Sequence, residues 1–324
     1  MKAWVVRSLG GIEALSLEAV PDPPAPGPGE ATVRMVAVGL NFPDLLMLEG
    51  RYQYRPPLPF VPGMEGVGRV EAVGEGVSAD LLGQRLLVGA RAGLMAQRVT
   101  LPLSALRPAP DTLSDAEAAA FTVGALTAWV GLVERGRLAA GERLLVLGAG
   151  GGMGLMAVAL GAALGAEVWA VASSLAKLAL AEAAGAQATW RVDRQAPDLG
   201  PLAGQFDLVF DPVGGPLVAP AIAALRPGGR YLVIGFAGGP PVPLGVDQIQ
   251  ARFLEVIGVR AGEAGRRDPA AGRRHLAAID RLAAEGRLRP AVGLTLPFVQ
   301  APEAFRAMAR GELCGKAVIW CDTD

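Results

Sequence analysis

The chain has 324 residues, more than one small core requires, and suits two domains of ordinary size. Hydrophobic residues make up 52% and charged residues 19%, which supports a large buried core and excludes a disordered chain. Thirty Lys and Arg stand against 31 Asp and Glu, so no basic surplus exists to hold nucleic acid or an anionic membrane.

The opening Met1-Lys2-Ala3-Trp4 carries no secretory pattern, and the only cysteines are Cys314 and Cys321. A disulfide framework is therefore not expected, and a reducing cytoplasm is. To about residue 120 the chain reads as β-rich. Short apolar runs (Ala3–Val6, Ala31–Val38, Gly66–Val73, Arg85–Val88) alternate with Pro/Gly punctuation such as "PDPPAPGPGE". Asp44 in "NFPDLL" reads as a helix-start or structural carboxylate.

From about Ser114 the texture changes to Ala- and Leu-rich helices alternating with short apolar strands, the pattern of a parallel sheet. The predicted strands are 143–148, 167–172, 207–211, 230–235 and 254–259, with helices over 153–164, 175–184 and 216–225. Gly165, Gly185 and the Pro227-Gly228-Gly229 turn punctuate the helix ends. Leu144 to Ala166 is uncharged and long enough to span a bilayer, but Gly148, Gly150, Gly151, Gly152 and Gly154 would break such a helix. It reads as strand, loop and helix. After about residue 262 the chain turns polar, with one or two helices and a closing strand "KAVIW", and this segment is expected to complete the first domain. Arg266-Arg267 and Arg273-Arg274 read as solvated.

The loop Ala149-Gly150-Gly151-Gly152-Met153-Gly154 follows a strand and opens a helix, an A-x-G-x-x-G variant of the dinucleotide fingerprint. Gly151 would admit a pyrophosphate, and the helix N-terminus would bind it. Past the next strand an NAD site would place an acid for the ribose hydroxyls. Here stand Ala172, Ser173, Ser174 and then Lys177, with Arg191 after the following strand. Hydroxyls and cations suit a 2′-phosphate, so NADPH is the expected cofactor over NADH. A surface helix lysine is the plainer reading of Lys177 taken alone. A catalytic zinc needs three His, Cys or carboxylate ligands. One His, His275, two distant Cys and no C-x-x-C predict no metal, and His275 reads as a helix-surface residue.

These residues resemble the zinc-independent medium-chain dehydrogenase/reductases of the quinone oxidoreductase type. The resemblance runs through "VGLNFPDLLMLEGRY" (38–52), "LPFVPGMEGVGRVEAVGEGV" (58–77), "LTAWVGL" (126–132), the glycine loop, "FDLVFDPVGG" (206–215), "LRPGGRYLVIGFAGG" (225–239) and "GKAVIW" (315–320). Zinc-containing relatives carry Cys near Asn41 and His in a "GHE" where this chain has Gly63-Met64-Glu65, besides a four-cysteine lobe absent here.

The resemblance implies an α/β fold: a Rossmann doubly wound parallel sheet (121–261) inserted into a GroES-like β-rich domain (1–120, completed by 262–324). The active site is then expected in the cleft between the domains, and the protein as a homodimer. Asn41 and Tyr52 would face nicotinamide and substrate, and Thr127 the nicotinamide end. Gly151, Gly152 and Met153 would hold the pyrophosphate, and Ser173, Ser174 and Lys177 the 2′-phosphate. Val213, Phe236 and Lys316 would flank the cofactor. Relatives often place a tyrosine for the adenosine phosphate where this chain has Val192, for which Arg191 could compensate. A packing aromatic on a turn is an equal reading of Tyr52. The implied activity is metal-free hydride transfer to a quinone or conjugated carbonyl. The alternatives are an enone or enoyl-thioester reductase and a cofactor-binding protein without useful catalysis.

Overall fold

A computed structural model describes residues 1–321 of the chain. It divides into two compact units, one built from Met1–Val123 with the chain from Val292 onward, the other from Gly124–Ala291.

The first unit begins with a two-stranded antiparallel ribbon, β1 (Lys2–Val6) against β2 (Leu15–Ala19). Then come β3 (Glu30–Gly39), α1 (Phe42–Leu48), β4 (Glu65–Val73), β5 (Arg85–Gly89), β6 (Arg98–Pro102), β7 (Leu106–Pro108) and α2 (Asp115–Ala119). β3 is the pivot, pairing with β4 and β6, and is buried along most of its length. That explains why Ala31–Val38 reads as a nearly continuous apolar run rather than a strict alternation.

The second unit takes over within α3 (Thr122–Trp129), which runs into a π-helical stretch at Val130–Arg135. Next are β8 (Arg143–Leu147), α4 (Gly152–Ala163), β9 (Glu167–Ala172), α5 (Leu175–Ala183) and β10 (Ala188–Arg191). β11 (Phe206–Asp211), α6 (Val218–Ala224), β12 (Leu225–Val233), α7 (Val246–Ala251) and β13 (Glu255–Gly258) follow, then α8 (Ala261–Arg267) and α9 (Pro269–Ala284). The strands form one parallel sheet in the order β10-β9-β8-β11-β12-β13. The order reverses at β8, so the crevice outside the carboxyl ends of β8 and β11 is the topological switch point where such sheets bind ligands. Leu144 to Ala166 contains β8, the glycine turn and α4. No helix among the described residues is long and apolar enough to cross a membrane.

The chain re-enters the first unit with β14 (Val292–Pro297), α10 (Ala301–Ala309) and β15 (Lys316–Trp320). β15 pairs antiparallel with β3 and closes the order β14-β15-β3-β4-β5-β7.

Two expectations are corrected here. The return to the first unit comes at Val292, not at 262, because α8 and α9 belong to the second unit. In α9 one stripe (His275, Ile279, Leu282 and Ala283) is buried at i, i+4, i+7 and i+8 spacing, while the arginines occupy the rest. His275 is accordingly no surface residue. Its Nε2 lies 3.4 Å from Glu134 Oε2, on the π-helical stretch.

Candidate active site

In the second unit the candidate residues collect at the carboxyl edge of the sheet. β8 ends at Leu147 and the chain turns through Gly148, against which Val213 packs. A Cβ on Gly148 would come within 2.6 Å of Val213 Cγ2. α4 starts at Gly152 behind the N-cap Gly151, and no side chain caps it. Its first N–H groups and positive dipole end are thereby presented to an anion. Gly154 lets the helix close on the turn, since a Cβ there would fall 2.7 Å from Ala149 Cα.

Gly150 meets a different neighbour. The aliphatic stem of Lys177 lies directly across it, so that a Cβ on Gly150 would overlap the lysine's Cβ and Cγ and sit 2.8 Å from Cδ. Lys177 is placed there by α5, whose N-cap Ser174 accepts the Lys177 N–H at 3.4 Å. Ser173, the first residue past β9, accepts a hydrogen bond from Arg194 Nε at 3.3 Å. Arg191 ends β10 opposite Ala172 with an exposed side chain. The guanidinium that bonds Ser173 thus belongs to Arg194, which the strand-end argument overlooks. Lys177 is brought against Gly150 in the glycine loop, and Ser174 caps the helix that carries it. The uncapped helix start behind a glycine loop fits the pyrophosphate of a dinucleotide.

On the other side of the switch point, the carboxylate of Asp211 closes β11. Its Oδ1 accepts the Val213 and Gly214 N–H groups at 2.7 and 2.8 Å, and its Oδ2 accepts the Tyr231 hydroxyl. Burial pushes the Asp211 carboxyl above its ordinary range, against the pull of these three donors. Burial, and then the facing Asp211, raises the Tyr231 phenol well above its usual value. The pair holds the Val213-Gly214 turn in place. Phe236 lies beside Gly214, whose added Cβ would be 3.4 Å from Phe236 Cδ1, and stays partly exposed. Thr127 is half-buried on α3.

The first unit carries a separate buried polar cluster. Asn41, Asp44, Glu65 and Lys316 are all buried. Lys316 Nζ donates to Leu40 O at 2.8 Å, Asn41 Oδ1 at 2.6 Å and Glu65 Oε1 at 2.8 Å, which satisfies its three N–H groups. Asn41 Nδ2 donates to Gly39 O at 3.2 Å and Glu65 Oε1 at 2.9 Å, while Glu65 Oε2 accepts the Val123 N–H at 2.8 Å. Asp44 accepts the backbone N–H groups of Asn41 and Gly63 at 2.9 and 3.1 Å. Its carboxyl is pushed up to about 7 by burial. The two backbone donors and Lys316 pull it down, and Glu65 pushes it up.

This geometry alters two assignments. Lys316 is spent on the cluster and leaves no ammonium hydrogen for a cofactor. Asn41 has given both amide hydrogens to Gly39 and Glu65, so in this arrangement it shapes the β3–α1 junction and has none left for a substrate oxygen. Tyr52 follows α1, its backbone N–H on Leu46 O at 3.2 Å and its ring packed on the core of the unit.

Zinc does not fit this donor set. Asn41 Oδ1, Glu65 Oε1 and Leu40 O already accept from an ammonium, and Met64 stands where a histidine ligand would be needed. Among the described residues no group of three or more His, Cys, Asp and Glu could hold a metal ion.

Two family models match the chain: the alcohol dehydrogenase GroES-like domain over residues 27–111 and the zinc-binding dehydrogenase domain over residues 184–319. The human synaptic vesicle membrane protein VAT-1 homolog is 32% identical over 351 residues, covering 98% of this chain and 86% of that protein. The quinone oxidoreductase-like protein 2 homolog of Nematostella vectensis is 31% identical over 303 residues, covering 90% of this chain and 82% of that protein. The quinone oxidoreductase of Thermus thermophilus, whose structure has been determined with and without NADPH, is 38% identical. It superposes with a TM-score of 0.83 over 99% of this chain and 100% of that one.

Proposed function

The chain belongs to the quinone oxidoreductase type of the medium-chain dehydrogenase/reductase family, and from that premise we propose that it reduces a quinone with NADPH and without zinc. The observation that carries the cofactor choice is the chemistry just past β9. Two serines, the Lys177 stem across Gly150 and the Arg194–Ser173 bond stand where an NAD site needs a carboxylate. The NADPH complex of the Thermus thermophilus protein supports the same choice.

When bound, the nicotinamide supplies a hydride from C4 to the conjugated carbonyl compound. The chain's own part is to bind, orient and exclude water. Gly151 to Met153 would receive the pyrophosphate on the uncapped start of α4, and Val213, Phe236 and Thr127 would flank the cofactor. Tyr52 hydrogen-bonds the oxygen on which negative charge develops, a role metal plays where zinc is present. Asn41 acts through position, fixed by Lys316 and Glu65. A reduced quinone takes its protons from solvent, so no strong general acid is needed.

The working unit in this reading is a homodimer in the reducing cytoplasm. β13 is an edge of the parallel sheet, with Phe253, 79% exposed, beside it and Val256 partly exposed on it, a strand suited to pairing with a second copy.

The test is the fall in NADPH absorbance with a 1,4-quinone and, separately, with a simple enone. Quinone-dependent oxidation is expected. Brisk turnover of the enone with none of the quinone would move the protein to the enoyl reductases and overturn the acceptor assignment.

A further inference from the structure

We infer that Glu65 is a positioning residue for the cofactor: it fixes the start of α3 and, through that helix, the place of Thr127; the inference rests on the reading above that the chain binds a nicotinamide dinucleotide beside Thr127. Glu65 is 1% exposed, so it acts only through what it holds. Its backbone is set first. Glu65 opens β4 and pairs with Gly39 of β3 on one side and Gly89 of β5 on the other.

From that place the carboxylate is used at both ends. Oε1 accepts from Asn41 Nδ2 at 2.9 Å and from Lys316 Nζ at 2.8 Å, and Oε2 accepts the Val123 N–H at 2.8 Å. Val123 is the second residue of α3, so its N–H is one of the four that a helix cannot satisfy from within. A negative charge there also suits the positive end of the helix. An ion pair that served stability alone would need only Oε1. The chain just ahead of α3 is pressed on the same strand, since a Cβ on Gly39 would overlap Ala119 O. Thr122 and Val123 belong to the first unit, and Gly124 to Trp129 continue the helix in the second. Thr127 stands four residues past Val123, one turn and about 6 Å further along the same face. Only a carboxylate can hold both ends. A glutamine has one accepting oxygen and an NH2 group, so at one end it must set a donor against a donor.

The experiment compares the full chain with Glu65→Gln and Val123→Pro. Proline has no N–H and is tolerated in the first turn of a helix, so Val123→Pro deletes the one bond and leaves Lys316 paired with Glu65. It carries the test even if Glu65→Gln, which strands the Lys316 charge, fails to fold. Isothermal titration is made with NADPH and with adenosine 2′,5′-bisphosphate, its adenosine half, and the emission of bound NADPH reports the surroundings of the nicotinamide. Both variants are expected to weaken NADPH by about fivefold or more, to leave the bisphosphate within about twofold, and to shift the emission toward that of free NADPH. Wild-type affinity and emission in Val123→Pro would overturn the inference, whatever its melting temperature. Equal weakening of NADPH and the bisphosphate would also overturn it, by showing a general disturbance. A wild type that binds NADH as tightly as NADPH would overturn the cofactor choice alone, and NADH with adenosine 5′-monophosphate then makes the same comparison. A wild type that binds neither dinucleotide would overturn that reading and this inference with it.

Discussion

The stem of Lys177 rests on Gly150 so closely that the glycine has no room for a side chain. The contact ties the glycine loop after β8 to Lys177 on α5, although the two follow different strands. Gly150→Ala should push Lys177 aside and raise the Kd for NADPH severalfold while changing that for NADH much less. Equal losses for both cofactors would mean that the loop itself had been distorted.

A second expectation concerns the ion pair of Lys316 with Glu65, whose side chains are 7% and 1% exposed. Removing one partner leaves the other charged in the core. Lys316→Met should therefore cost about 3–5 kcal/mol in urea unfolding. Adding Glu65→Gln removes the stranded charge, so the double variant should be more stable than Lys316→Met. Additive losses would show that the pair is not coupled.

The pH dependence of stability follows from Asp44. Its folded value of about 7 lies above the ordinary 3.8, so the folded state holds a proton that the unfolded chain has released. The stability is complete below the unfolded value and falls as pH rises from about 4 to about 7, after which this contribution is constant. Asp44→Asn is expected to be less stable, because an amide cannot accept from both Asn41 and Gly63, but to lose that slope. Parallel stability profiles for the two proteins would contradict the assignment.

Tyr231→Phe leaves the buried Asp211 with one donor fewer. A loss of about 1–3 kcal/mol in stability is expected. Because Asp211 also holds the N–H groups of Val213 and Gly214, the KM for the cofactor should rise with it, and kcat much less. A change in stability with unaltered KM would make the pair purely structural.

The parallel sheet was legible because β8 and β11 are buried on both faces and end in glycine turns, so their apolar runs stand out from the surrounding chain. The position of the second crossing was not. β14 alternates half-buried with exposed residues and carries Gly293 and Pro297, which read as punctuation, and α9 hides a buried stripe among arginines. The glycine loop and the serines were legible through their order along one strand-to-helix turn. Arg194, Asp211 and Tyr231 were not, since each acquires its role from a contact with a residue 20 or 21 positions away. Lys316 illustrates the converse, a residue whose motif was recognised while its partners, Asn41 and Glu65, lie 275 and 251 positions upstream.

The most direct test of the central claim is the quinone-dependent oxidation of NADPH by protein dialysed against a zinc chelator, with NADH in parallel. Undiminished turnover with NADPH, and much slower turnover with NADH, is the expected result. Turnover lost on dialysis and restored by added zinc would contradict the metal-free mechanism, and equal rates with both cofactors would contradict the phosphate site.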